Sequence, residues 1–288
     1  TWTQIGADID GEAAGDGSGG SVSLSADGTI VAIGAPNNCA NFSFAGHARI
    51  YQNISGTWTQ IGADIDGEAI LDFSGSSVSL SADGMTVAIG APGYDGSGAS
   101  AGHVRVYQNI SGTWTQIGAN IDGEAASDRS GSSVSLSADG MTVAIGAPRN
   151  DGNGTSAGHV RVYQNISGTW IQIGGDVDGL ATGDESGSLV SLNADGTIVA
   201  IGAPYNFSRG TASGYVKVYQ NISGTWTRTG DIYDDLLSNG PPGSVSLSAD
   251  GMAIAIGAPY NSDIGNEAGH VRLLKNKFYW PIFLPAIT

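Results

Sequence analysis

The sequence predicts an all-β fold, a five-bladed β-propeller built from five four-stranded repeats of about 56 residues. Three observations carry that expectation. Gly-Ala-Pro recurs at Gly34, Gly90, Gly146, Gly202 and Gly257, at spacings of 56, 56, 56 and 55. All six Trp residues follow the same period, at Trp2, Trp58, Trp114, Trp170, Trp226 and Trp280. Ser-Val-Ser-Leu-Ser-Ala-Asp-Gly begins at Ser21, Ser77, Ser133 and Ser244, and reads LVSLNADG from Leu189 in the remaining copy. Self-similarity at a fixed period marks one supersecondary unit copied along the chain, each copy needing its neighbours to bury its apolar face.

The strands follow from alternation. In the second repeat the runs TWTQIG (57–62), SVSLS (77–81), MTVAIGA (85–91) and GHVRVYQ (102–108) all have period two. Val78 and Leu80 share one face and Ser77, Ser79 and Ser81 the other; Val104 and Val106 are set against His103, Arg105 and Tyr107 in the same way. Asp83-Gly84 joins two of these strands with the dipeptide that favours a type I′ hairpin. Asn109-Ile110-Ser111-Gly112 joins the next pair. No run keeps a helical period. The repeats lie near 1–56, 57–112, 113–168, 169–224 and 225–274, followed by an apolar tail at 275–288. Residues 1–6 repeat the Trp strand without inner strands before them, so they are expected to complete the fifth blade. The tail, with Trp280 near the same position, competes for that slot. Either the tail packs on its own blade, or Phe278, Tyr279, Trp280, Ile282, Phe283 and Leu284 meet a neighbouring molecule.

Composition narrows the function. A net charge of −16 disfavours nucleic acid and anionic membrane as partners. Charged residues make up only 13% and hydrophobic ones 40%, which argues for a packed core rather than disorder. No run is long and apolar enough to span a bilayer. The single cysteine, Cys39, cannot make a disulfide or a thiolate zinc site within one chain.

The stretch SGSSVSLSADGMTVAIGAP and the GHVRVY that follows, from Ser74, resemble the FG-GAP repeat of the integrin α-subunit propeller and its microbial and algal relatives. The resemblance extends over nearly the whole chain, five times, and implies a propeller. In that family some blades carry Asp-x-Asp-x-Asp-Gly-x-x-Asp as a calcium loop. Here the matching stretch runs Ser79-Leu80-Ser81-Ala82-Asp83-Gly84, with Val87 at the last ligand position. Three of four carboxylates are missing, so that site is not carried over. The family propeller also has seven blades where five repeats are counted here.

Two polar patterns remain. After each Trp strand stand acids: Asp8, Asp10 and Glu12; Asp64, Asp66 and Glu68; Asn120, Asp122 and Glu124; Asp176 and Asp178. Asp8, Asp10, Asp64, Asp66, Asp122, Asp176 and Asp178 are candidate Ca2+ ligands, the alternative being solvated or Arg-paired acids. His47, His103, His159 and His270, with Arg49, Arg105, Arg161, Lys217 and Arg272, are read as repeated inter-blade contacts. Asn-x-Ser/Thr occurs at Asn53, Asn109, Asn165 and Asn221 in hairpin turns, and at Asn41, Asn153 and Asn206 after Gly-Ala-Pro. These are candidate N-glycosylation sites on outer loops, or simply turn chemistry. No nucleophile–base pair or unique carboxylate pair stands out, so no enzyme is expected. The expected role is a secreted or cell-surface propeller acting by contact with other protein subunits, in adhesion or as part of an extracellular assembly. The alternative is a multivalent carbohydrate-binding lectin, calcium-dependent if the acids hold an ion.

Overall fold

The computed structural model describes residues 1–205, 214–232, 241–262, 265 and 267–276. It is a β-propeller of five antiparallel blades. The first blade runs Ser21–Leu24, Ile30–Ala35, His47–Ile54, then an outer strand in two pieces, Thr57–Gln60 and Ile65–Asp66. The second and third repeat that plan from Ser77–Leu80 and Ser133–Leu136. The fourth, from Leu189–Leu192, has one continuous outer strand, Thr225–Ile232. Among the described residues the fifth has three strands, Ser244–Leu247, Ala253–Ala258 and His270–Lys275. The Trp strand at the head of each repeat after the first therefore closes the blade of the repeat before it, which ties consecutive blades together covalently and through the sheet.

The turns differ from expectation in one respect. A type I′ hairpin needs positive φ at both central residues. Only Gly84 has it, at 70°, while Asp83 does not. Asp83 instead uses its carboxylate to accept the Met85 N–H at 2.9 Å and the Ser81 hydroxyl at 2.6 Å. That local bonding holds a longer loop with a single left-handed residue, the place glycine fills at least cost.

The core lies between blades. In each junction the third strand of one blade packs its apolar face on the inner strands of the next. Ala48 and Ile50 meet Val78, Leu80, Val87 and Ile89; Val104 and Val106 meet Leu136, Val143 and Ile145; Val160 and Val162 meet Leu192, Val199 and Ile201. Val216 meets Ile254 and Ile256 in the fourth junction. Polar rungs repeat beside this apolar seam. Ala26, Ala82, Ala138 and Ala194 each donate a backbone N–H to the matching Ala of the next blade, at 2.8–2.9 Å. Ser23, Ser79 and Ser135 each accept the N–H of the Leu in the next blade at 2.9 Å. The serines that alternate with Val and Leu are thus junction hydrogen-bonding groups, which explains why they recur.

Among the described residues both ends of this stack are exposed. Val78 and Leu80 are 8% and 7% exposed in the second blade, whereas Val22 and Leu24 in the first are 65% and 58% exposed. Val104 and Val106 are fully buried, whereas Val271 and Leu273 of the fifth blade are 72% and 80% exposed. The expectation that residues 1–6 complete the fifth blade is corrected here. They form no strand, and Trp2 is fully exposed. The Ile5 carbonyl accepts the Trp58 indole N–H at 2.8 Å, the same bond that Ile61, Ile117 and Ile173 make to Trp114, Trp170 and Trp226. The segment keeps that contact with the first blade but lacks its strand partner: among the described residues His270–Lys275 of the fifth blade pairs only with Ala253–Ala258.

Candidate functional site at the blade junctions

Each junction repeats one polar arrangement. The third strand of a blade carries His then Arg, at His47 and Arg49, His103 and Arg105, His159 and Arg161, all buried. Period two points both inward on the same side. The acid loop that follows the Trp strand of the same repeat passes over them. Arg49 donates to the Asp10 carbonyl at 2.7 Å, and Arg105 and Arg161 donate to the Asp66 and Asp122 carbonyls at 2.6 Å. The same guanidinium groups approach Glu12, Glu68 and Glu124 at 3.5, 3.7 and 3.4 Å. Each also lies over the ring of its neighbouring Tyr, 5.5–5.6 Å from the ring centre. A buried guanidinium is tolerated because acid, carbonyl and ring all face it.

The histidine beside it closes a second cluster. The His47 Nδ1 atom is 3.8 Å from Glu12, 3.9 Å from Asp64 and 4.0 Å from Asp66. In the third blade His159 Nδ1 is 3.8 Å from Glu124 and 4.0 Å from Asp176. In the second blade Asn120 stands where Asp64 and Asp176 stand, and its amide reaches Glu68 at 3.1 Å and His103 Nδ1 at 3.4 Å. Burial, then the Arg105 charge, pushes the His103 pKa down to about 3, and His159 is lowered by the same two causes in the same order.

The acid pairs are placed as follows. Ile65, Ile121 and Val177 turn into the core, leaving their flanking acids on the other side. Asp8 accepts from Gln4, Asp64 from Gln60 and Asp176 from Gln172, while Asp66 accepts from Asn41. Asp122 lies 4.0 Å from His103, and Asp178 pairs with His159 in the sheet. Asp10 contributes its carbonyl to Arg49. The acids therefore meet the histidine and arginine of a third strand rather than one another alone. The further acids Asp72, Asp128 and Asp184 are buried and organise the loop: Asp72 accepts the Glu68 and Ala69 N–H groups, and Asp184 those of Leu180 and Ala181.

The sequons divide into two groups. The side-chain oxygens of Asn53, Asn109, Asn165 and Asn221 accept the N–H groups of Gly56, Gly112, Gly168 and Gly224, each at 2.9 Å. The amide nitrogens of Asn53, Asn109 and Asn165 are buried without a partner. Good access was expected for all of these turns, and for these three the fold removes it, because the turn rotates the amide under the hairpin. Asn41 and Asn153 are exposed. Asn206 lies outside the described residues, as do Phe278, Tyr279, Trp280, Ile282, Phe283 and Leu284. Expression in a eukaryotic secretory host followed by peptide mapping of glycosylated asparagines is expected to find Asn41 and Asn153 occupied and Asn109 and Asn165 bare. Occupancy at Asn109 or Asn165 in folded protein would overturn this reading of the turn.

One signal in the sequence points to the histidine cluster and is easily missed. Glu12, Glu68 and Glu124 each precede their histidine by 35 residues; in the fourth repeat Leu180 replaces the Glu while Tyr215 replaces the His and Lys217 the Arg. The residues change together because they touch: the Leu180 N–H donates to the Tyr215 hydroxyl, which itself donates to Asp184.

Comparison with known proteins agrees with this architecture. Residues 114–163 match the FG-GAP repeat family. This segment is an FG-GAP repeat. The FG-GAP segment spans the outer strand of the second blade and the inner strands of the third, so its boundaries follow the repeat and not the blade. No curated protein matches the chain. Among solved structures, the hydrazine synthase of Kuenenia stuttgartiensis aligns at a TM-score of 0.59 and 14% identity, over 96% of this chain and 66% of that one. The periplasmic gluconolactonase of Pseudomonas aeruginosa aligns at 0.53 and 18% identity, over 88% of this chain and 70% of that one. A candidate 6-phosphogluconolactonase of Bacteroides uniformis aligns at 0.59 and 12% identity, over 89% and 67%. The chain thus spans about two thirds of the first of these proteins. At such identities the likeness is one of fold.

Proposed function

We propose that this FG-GAP propeller is a non-enzymatic contact module, a structural or adhesive subunit of an extracellular assembly that joins copies head to tail. The observation that carries the reading is the pair of end faces that no described residue covers. The face of the first blade, with Val22 and Leu24, is the counterpart of the face that receives a blade at every internal junction. The face of the fifth, with Val271 and Leu273, is the counterpart of the one delivered there. Each copy therefore carries both halves of a junction that its own interior makes four times over. A contact of that kind is heterologous and builds rings or filaments.

Magnitude sets the expected strength. Burying a Val or Leu side chain contributes about 1.5–3 kcal/mol, and association costs about 4–15 kcal/mol. Four such side chains and a few backbone rungs give a contact that depends on concentration rather than a permanent one. Sedimentation velocity on the full chain is expected to show oligomers growing with concentration. Leu24→Asp and Leu273→Asp should each block growth at one face. An equimolar mixture of the two variants should give discrete dimers through the two intact faces. A wild-type chain that stays monomeric at every concentration, or oligomers that survive both substitutions, would sink the reading.

A further inference from the structure

We propose that Glu12, His47 and Asp64, with Asp66 beside them, form a divalent transition-metal site, that Glu124, His159 and Asp176 form a second copy, and that zinc is the ion. Three observations lead there. The first is an orphaned donor set. The His47 ring is 1% exposed and neither of its nitrogens has a hydrogen-bond partner. A buried imidazole without partners is costly. Its Nδ1 atom points into the three carboxylates, at 3.8, 3.9 and 4.0 Å. These separations are too long for hydrogen bonds. They are the separations that two ligands keep across an ion with bonds of about 2.1 Å at a wide angle.

The second observation is the repeat that lacks the third carboxylate. Asn120 replaces Asp64 and Asp176, and its amide N–H groups sit between Glu68 and His103 Nδ1. A neutral amide donor occupies the position where an ion would sit in the other two junctions. Where the carboxylate is kept, Gln60, Asn41 and Gln172 donate to the outer oxygens of Asp64, Asp66 and Asp176, and the oxygen of each that faces the histidine accepts none of these bonds. Asp and Glu are acceptor-only when ionised, so Glu12, Asp64 and Asp66 repel one another unless a cation joins them. Arg49 takes up one oxygen of Glu12, at 3.5 Å, and leaves the oxygen nearer His47 free for it.

The third is that Glu and His are lost together in the fourth repeat, as Leu180 and Tyr215, which marks them as one unit. The ion class follows from the donors. One imidazole nitrogen with carboxylate oxygens suits zinc or a neighbouring divalent transition metal, whereas calcium takes an all-oxygen shell. The carboxylates are partly exposed, Glu12 at 41% and Asp64 at 28%, so the ion enters from solvent over a buried His.

The test is isothermal titration of the chelator-stripped full chain with Zn2+, with Ca2+ run in parallel. Two zinc ions per chain are expected. His47→Gln should remove one and His47→Gln with His159→Gln both. Asp64→Asn, which copies the arrangement already folded in the second blade, should remove one without loss of the thermal transition. Asn120→Asp should add a third ion. A zinc stoichiometry that ignores the His variants and Asn120→Asp would overturn the assignment, and so would saturation of the same sites by Ca2+ but not by Zn2+.

Discussion

Gly90→Ala is expected to cost about 3 kcal/mol, the upper end of overpacking penalties in a tight core. Gly90 has an ordinary strand φ, so the cost is not conformational. A Cβ built there would overlap the carbonyl oxygen of Gly131 and the hydroxyl of Ser77. That carbonyl belongs to the loop of the third blade and accepts the Ser77 hydroxyl at 2.8 Å. The methyl group must therefore push two blades apart or break the bond that joins them. For a domain of this size the loss corresponds to roughly 6–12 °C in the melting temperature. Gly175→Ala is the control. A Cβ at Gly175 meets nothing within 4 Å, and Ala stands at the matching positions Ala7, Ala63 and Ala119. It is expected to leave stability unchanged or raise it by about 0.4–1 kcal/mol, through loss of unfolded-state freedom. Equal melting of Gly90→Ala and wild type would mean that the junction opens without cost.

Acid is expected to destabilise the fold well before its carboxylates titrate. His103 is fully buried and its pKa is lowered to about 3 by burial and by Arg105. In the unfolded chain it titrates near 6.5. As the pH falls through that value the unfolded chain takes up a proton that the folded chain refuses, so stability falls with it. The contribution is complete above about pH 6.5 and gone by about pH 3, an upper limit of about 5 kcal/mol. Asp72, Asp122 and Asp184 act in the opposite sense. Burial raises their pKa values, so protonation favours the folded state, and their contribution is lost as the pH rises through those values. They offset part of the histidine effect only at the acid end. Urea unfolding near pH 7 and near pH 4.5 should differ by about 2–3 kcal/mol for this one group. His103→Asn should flatten that dependence. A slope unchanged in the variant would assign the acid sensitivity elsewhere.

Much of the architecture was legible because it rests on local chemistry. Val78 and Leu80 had to share a face by alternation alone, and the period of Gly-Ala-Pro marked the blade. Glycine at Gly90 was visible as a repeat but its reason was not, since the atom it avoids lies in the next blade. The Asp83-Gly84 turn was located correctly and typed wrongly, because a carboxylate bonded to its own backbone competes with the left-handed conformation the dipeptide favours in isolation. The sequons show the same limit. Asn109 reads as an exposed turn residue, yet the turn spends its oxygen on Gly112 and buries its nitrogen. The acids were expected to act in pairs along one loop, as Asp64 with Asp66. Their partners are His47 and, through the Asp66 carbonyl, Arg105, brought to them by the sheet.

By itself the sequence determined the repeat, the strands, the turn positions and the blade count. These follow from periodicity and from residue types a few positions apart, where the chain's own geometry leaves little choice. The tertiary structure alone decided which blade each Trp strand completes, which faces remain uncovered, and how Glu12, His47 and Asp64 come to surround one point. Those outcomes depend on contacts between residues 17 to 57 positions apart. Such contacts are set by how one twisted sheet packs on the next, and nothing local in the chain encodes that packing.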